Sequence, residues 1–337
     1  MSKYLMTNYP NKGISNPYGQ DEGAGKGGGH MKIAIIGAGA MGSLFAGRLA
    51  EKDHSVSLIE VSGRMIDAIG AKGLRMTGLF GEKAYSLPIG PADRYIDPFD
   101  LLIVFTKGMH TSSAMEAAKH VIGKDTWALT VQNGIGNVEA IESFIARDRI
   151  VMGMTNWPST LIEPGLVNVP GEGEIKVWAA SGQVSETLEA VASALDGAGL
   201  NCKLDPHVEV AIWEKLAFNS ALNSLAAITG LTVGEMGDRQ ESRNIVFTIL
   251  DEVIAVAKAR GLAVDADHIR ESVEHAFANH RQHKPSMLQD RLAGRTMEIG
   301  TITGAVSKAG ETLGIATPVT TTFASLLTLV DGEALRV

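Results

Sequence analysis

The spacing of apolar residues changes partway along the chain. Up to residue 204, short and nearly continuous apolar runs alternate with helical periods; beyond it, helical periods follow one another to Val337. The first run is Lys32 to Ile36. It leads into the turn Gly37-Ala38-Gly39-Ala40-Met41-Gly42, a helical pattern through Leu49, and a second strand over residues 56–60. Residues 100–107, 127–134, 150–154 and 174–179 repeat the strand signature. Continuous apolar character is expected of parallel strands covered on both faces. The pattern predicts an α/β fold, in which a Rossmann-type doubly wound parallel sheet occupies residues 31–205. An all-α domain follows over residues 206–337, with Pro206 as a helix-start signal at the boundary.

The first thirty residues do not fit this scheme. They are rich in Gly, Asn, Tyr and Pro, show no period and lack the apolar core of a signal peptide. They are expected to be a flexible extension or a remnant of expression, with Met31 the functional start.

The glycine turn suggests chemistry. Gly37 permits the tight turn, and Gly39 lets the backbone approach a pyrophosphate. Gly42 lets the helix pack on the sheet, so that the N–H groups at Ala40 and Met41 face the phosphates. Glu60 stands 21 residues after Gly39, at the end of the second strand. A carboxylate there accepts hydrogen bonds from ribose hydroxyls and repels a 2′-phosphate. NADH is therefore favoured, while Arg64, four residues on, leaves NADPH open. Lys107 and Asn133 fall at carboxyl ends of later strands, where open α/β sheets bind ligands. Gly134 and Gly136 signal a backbone pressed close to something.

The helical half carries a second polar constellation. In "AIWEKLAFNSALNSLAAITG", Lys215, Asn219 and Asn223 recur at i, i+4 and i+8 and project from one face. An ammonium and two amides on so apolar a helix are costly to bury without partners. Ser286 and Asp290 share a face farther on, and Glu298 follows in what reads as the next helix. His275, His280 and His283 are not spaced for one helical face, so no metal site is expected.

Composition narrows the classes. At 337 residues, two domains are expected. Thirty basic against thirty-eight acidic residues give a net charge of −8, which discourages binding to nucleic acid or anionic membranes. The single cysteine, Cys202, excludes an internal disulfide and suits a reducing cytoplasm. The most apolar stretch, residues 211–233, holds Glu214, Lys215, Asn219 and Asn223, too many polar groups for a membrane span.

In order and spacing, several of these motifs resemble the ketopantoate reductases (2-dehydropantoate 2-reductases). They are the GAGAMG turn, Lys107, "QNGIG", "WEKLAFNSALNSLAA" and "SMLQD…GRTMEIG". The resemblance implies a Rossmann domain and a helical domain with the active site between them. It implies that Lys215 is the general acid and that Asn219 and Asn223 line the substrate site. Ser286 would hold the substrate carboxylate, and Glu298 would bond the substrate hydroxyl and orient Lys215. Asn133 would lie near the nicotinamide and Lys107 near the adenosine side. Three departures stand out. Glu60-Val61 occupies the place of a basic residue, Ser224 replaces a proline after Asn223, and Gly300 and Thr303 replace an acid and an amide. The substrate expected is a small 2-oxo acid, ketopantoate first. A branched or aromatic oxo acid, as taken by NADH-dependent D-2-hydroxy acid dehydrogenases of this architecture, is the alternative. A non-catalytic NAD(H) sensor is a third reading, which has no use for a buried proton donor. A homodimer through the helical domain is also expected.

Overall fold

A computed structural model describes residues 29–335 of the chain; the sequence-based reading of the first 28 residues lies outside it. The elements are β1 (Lys32–Ile36), α1 (Ala40–Ala50), β2 (Ser55–Ile59), α2 (Gly63–Lys72), β3 (Leu74–Gly78), β4 (Lys83–Tyr85), β5 (Ile89–Gly90) and β6 (Phe99–Val104). They continue with α3 (Thr111–Ala118), β7 (Ile122–Thr130), α4 (Asn137–Glu142), β8 (Ile150–Thr155), β9 (Thr160–Glu163), β10 (Leu166–Val169), β11 (Ile175–Ala179), α5 (Glu186–Gly197) and β12 (Cys202–Leu204). Helices alone follow: α6 (Val208–Thr229), α7 (Val233–Gly237), α8 (Gln240–Ala259), α9 (Ala266–Asn279), α10 (Ser286–Leu292), α11 (Thr303–Leu313) and α12 (Pro318–Leu329).

Eight strands form the main sheet in the order β12-β11-β8-β7-β6-β1-β2-β5. Alternation of side chains divides its two faces. Ile33 and Ile35 pack with α1 residues such as Leu44 and Phe45, whereas Ala34 and Ile36 join Tyr95, Phe99 and Met115. Six strands, β5 to β8 across the sheet, run parallel; apolar runs predict five of them, and the two-residue β5 was not foreseen. The run at residues 174–179 does not: β11 pairs antiparallel with β8, and β12 parallel with β11, so the sheet is mixed. β11 buries Ile175, Val177 and Ala179 on one face and leaves Lys176 and Trp178 half-buried on the other, and such a run of residues reads the same whichever way the strand points.

A second sheet, in the order β4-β3-β10-β9, has no counterpart in the sequence-based reading. Its strands are three to five residues long, too short for a clear alternation. It packs on the outer side of α1, which is why Gly42 through Leu49 are all buried. Gly47 permits the approach, since a Cβ there would stand 2.7 Å from the Tyr85 ring and 2.8 Å from the Met76 methyl.

In the helical half α6 is the central element, packed against α8, α10 and α12 and touching β8 of the sheet. Its core includes Trp213, Leu216, Leu222, Val253 and Phe277. No helix among the described residues is long and apolar enough to cross a membrane. One expected helix is absent. Glu298 lies in a non-helical segment before α11, whose backbone is committed elsewhere. The Met297 N–H donates to Asp331 (2.7 Å), and the Thr301 carbonyl accepts from Ile135 (2.9 Å).

Candidate active site

The glycine turn shows why it needs its glycines. Gly37 has φ +100°, and a Cβ there would lie 2.9 Å from the Phe105 carbonyl. At Gly42 a Cβ would stand 1.9 Å from the Gly37 oxygen. Gly39 is different: a Cβ would meet nothing within 4 Å, so that side of the turn is open. α1 has no side-chain cap and no acid in its first turn. The first-turn N–H groups, at Ala40 and Met41, thus lack intrahelical acceptors and face outward with the positive end of the helix dipole. This cradle fits a dinucleotide pyrophosphate.

Glu60 is tied to the same turn. One carboxylate oxygen accepts from Ala38 N (2.7 Å), and the other accepts from Val61 N and Ser62 N (2.9 Å each). Three backbone donors hold the group in one orientation beside the glycine loop. Val61, next in sequence, is 86% exposed and carries no charge.

Across the molecule, α6 presents its polar face. The Lys215 ammonium donates to the Thr155 carbonyl at the end of β8, at 2.5 Å. Four residues beyond Thr155, the Ser159 hydroxyl donates to the Ala40 carbonyl (3.0 Å). The segment 155–159 therefore bridges from the amine to the glycine turn. Asn219 is partly buried and Asn223 only 4% exposed; neither side-chain amide has a hydrogen-bond partner among the described residues. Neither amide is among the buried atoms without a partner, so both keep access to solvent and are free to bond a ligand.

Two loops of the sheet half reach into the helical half. Lys107 donates to the Thr296 carbonyl (2.6 Å) and pairs with Asp290 (2.7 Å), so its ammonium points at α10 and the segment after it. Gly108 N donates to Glu298 Oε1 at 3.0 Å. Asn133 accepts on its carbonyl from the Asn137 side chain (3.2 Å). The next residue, Gly134, has φ +82°, and a Cβ there would lie 2.0 Å from the Thr301 carbonyl. Glu298 also borders a groove of about 860 Å³ lined in part by Met109, Gly300, Thr301 and Ser307. Ser286 opens α10, four residues before Asp290, and is exposed.

Burial and charge set the proton affinities. Burial pushes the Lys215 amine down to about 8, and the Glu298 charge opposes that fall. Burial also pushes the Glu298 carboxyl above the usual carboxylate range, against the pull of the Gly108 N–H and the Lys107 and Lys215 charges. The fold thus couples an amine that titrates near neutrality to a carboxyl on the opposing segment.

The structure brings Lys215, Asn219 and Asn223 onto one face of α6, and gathers Lys107, Asn133 and Glu298 where the two halves meet. Gly37 to Gly42 and Glu60 form the turn on the sheet side. Sequence reasoning missed Thr155, Ser159, Gly108 and Thr301. Three of these act through backbone carbonyl or N–H groups, which leave no trace in residue identity; Ser159 sits in a loop with no motif. Among the described residues no cluster of His, Cys, Asp or Glu could hold a metal ion.

Comparisons with known proteins place both halves of the chain in one family. The family described as "Ketopantoate reductase PanE/ApbA" matches residues 33–182, and its C-terminal family, "Ketopantoate reductase PanE/ApbA C terminal", matches residues 207–331. The chain is 33% identical over 289 residues to the 2-dehydropantoate 2-reductase of Streptococcus pyogenes serotype M3, covering 86% of this chain and 94% of that one. The Pyrococcus horikoshii enzyme of the same name is 32% identical over 293 residues, covering 86% and 93%. Among solved structures, D-mandelate dehydrogenase with NADH and anilino(oxo)acetate superposes with a TM-score of 0.85 at 31% identity, covering 89% of this chain and 98% of that one. The 2-dehydropantoate 2-reductase of Geobacter metallireducens gives 0.83 at 32% identity, covering 88% and 99%. With family matches over both halves and relatives about 33% identical along most of the chain, the protein belongs to the ketopantoate reductase family of oxidoreductases.

Proposed function

We propose that the protein reduces a small 2-oxo acid to the 2-hydroxy acid, with Lys215 as proton donor and NADH as the preferred cofactor. 2-Dehydropantoate is the first candidate substrate. The observation that carries the reading is the face of α6, where an amine pushed down to about 8 shares a helix with two unpartnered amides. A bound nicotinamide cofactor supplies the hydride. The first-turn N–H groups at Ala40 and Met41, with Gly39 giving access, hold the pyrophosphate, and Glu60 takes the ribose hydroxyls.

As negative charge grows on the carbonyl oxygen of the substrate, the Lys215 ammonium stabilises it and then gives up a proton. An amine near 8 is still largely protonated at neutral pH, yet acidic enough to release its proton to an alkoxide. Asn219 and Asn223 donate to substrate oxygens, and Ser286 at the start of α10 holds the carboxylate. Glu298 bonds the hydroxyl being formed and sustains the charge on Lys215. Lys107 and Asn133 line the cofactor side.

The likeness to D-mandelate dehydrogenase, together with Ser224, Gly300 and Thr303, favours a second reading with the same chemistry on a branched or aromatic 2-oxo acid. A homodimer through the helical half and a cytoplasmic setting complete the proposal; light scattering of the purified protein tests the former. The decisive experiment is a panel of 2-oxo acids with NADH and NADPH, followed by loss of reduced-nicotinamide absorbance. Cofactor binding without turnover of any of them would favour a sensing role instead.

A further inference from the structure

The loop after β6 touches both the glycine turn and the helical half. At Gly37 a Cβ would stand 2.9 Å from the Phe105 carbonyl, and at Gly108 one would stand 2.4 Å from the Thr301 side chain. Gly108 N also donates to Glu298 Oε1. The loop after β7 reaches the same segment through Gly134 and through Ile135, whose N–H donates to the Thr301 carbonyl (2.9 Å). Both loops leave the carboxyl ends of neighbouring parallel strands. Beyond those ends the ladder stops, so bonds other than strand pairing must fix the spacing of the loops.

One side chain joins them. Gln132, half-buried in the second loop, donates from Nε2 to the Thr106 carbonyl (2.6 Å) and to Thr111 Oγ1 (3.0 Å). Its Oε1 accepts from Thr130 Oγ1 (2.9 Å). A primary amide has two hydrogens to give, and here both are committed, so the amide has one orientation. Thr111, at the start of α3, donates in turn to Asn137 Oδ1 (3.3 Å), and Asn137 Nδ2 donates to the Asn133 carbonyl (3.2 Å). Asn133 follows Gln132 in the chain, so the bonds close into a ring that ties both loops to the starts of α3 and α4. Thr111, Thr130 and Asn137 are buried, which strengthens such a network and makes each missing member costly.

We propose that Gln132 is a positioning residue that aims the Gly108 N–H at Glu298, and so sets the placement of Glu298 against the proton donor. Its effect on rate rests on the proposed reduction; its effect on the loops does not. The Gly108 N–H favours the ionised Glu298 carboxylate, as do the charges of Lys107 and Lys215, whereas burial and Asp290 oppose it. Ionised Glu298 in turn supports the charge on Lys215. Freeing the loop therefore lets the carboxyl keep its proton to higher pH, and the amine gives up its own at lower pH.

Hydrogen–deuterium exchange of the full chain reads the placement directly. Gln132→Met keeps the side chain's length and loses its amide. Peptides covering residues 105–110 and 296–303 should then exchange about tenfold faster, the worth of roughly one hydrogen bond. Peptides from β1 and α8 should keep wild-type rates. Thr111→Val removes one acceptor of the same amide at constant shape and should give a smaller rise at the same places; it decides alone if Gln132→Met does not fold. In pH–rate profiles with a 2-oxo acid and NADH, Gln132→Met should move the alkaline limb to lower pH by about half a unit. In the Glu298→Gln background the same substitution should move it no further. Unchanged exchange at both segments would overturn the proposal and leave Gln132 a packing residue. So would a limb that moves as far without Glu298 as with it. If no 2-oxo acid is reduced, the proposed function fails, and exchange still decides whether Gln132 places the Gly108 N–H.

Discussion

Lys215 on the first long helix of the helical half donates to the Thr155 carbonyl at the end of a sheet strand, at 2.5 Å. That carbonyl belongs to a segment whose Ser159 hydroxyl holds the Ala40 carbonyl in the glycine turn. The proposed proton donor is thus mechanically linked to the proposed cofactor cradle through five residues of backbone. A contact of this kind holds the amine in place before substrate arrives, which is the condition for efficient proton transfer.

The first prediction concerns that amine. Lys215→Ala should lower kcat by roughly 10²- to 10⁴-fold, the usual worth of a positioned proton donor. The Kd for NADH, read by fluorescence titration, should change by less than about twofold, because the glycine turn and Glu60 are untouched. Retained turnover would remove Lys215 from its role.

A second prediction follows from the pH at which this amine titrates. Reduction needs the protonated form, so kcat/KM should fall as pH rises through about 8. The Glu298 charge holds the Lys215 value up. Glu298→Gln removes that support, so the alkaline limb should move to lower pH. A pH–rate profile of the variant that moved upward would show that the two groups are not coupled as described.

Cofactor choice is tested at Glu60, whose carboxylate is held by Ala38, Val61 and Ser62 N–H groups. Glu60→Ala should narrow the ratio of kcat/KM for NADH over NADPH, since it deletes both the ribose acceptor and the repulsion of a 2′-phosphate. An unaltered ratio would count against the ribose role.

The contact between the halves is tested by two glycines. Gly134→Ala forces a Cβ to 2.0 Å from the Thr301 carbonyl at φ +82°. It should cost at least about 2 kcal/mol of stability and depress kcat by displacing the segment next to Glu298. Gly136→Ala, at φ +94° with nothing within 4 Å, carries only the backbone strain of about 1 kcal/mol. Thermal melts of both variants give the comparison, and equal losses would contradict the clash.

Much of this site could be read from local patterns because its parts are local. The glycine turn, the acid after the second strand and the i, i+4, i+8 face of α6 each depend on backbone geometry within a few residues. Periodicity and spacing record such geometry directly. The parallel core strands and the run of helices after residue 204 were legible for the same reason. Tertiary structure alone decided three things. It reversed the strand at residues 175–179, because the spacing of apolar residues along a strand does not record which way the strand runs. It drew Glu298 out of a helix, because the backbone around it is bonded to Ile135 and Asp331 in distant segments. It also paired Lys215 with Thr155, Gly108 with Glu298, and Gln132 with Thr106. Contacts between residues dozens of positions apart have no period, and those made by a carbonyl or an amide N–H look the same at every residue.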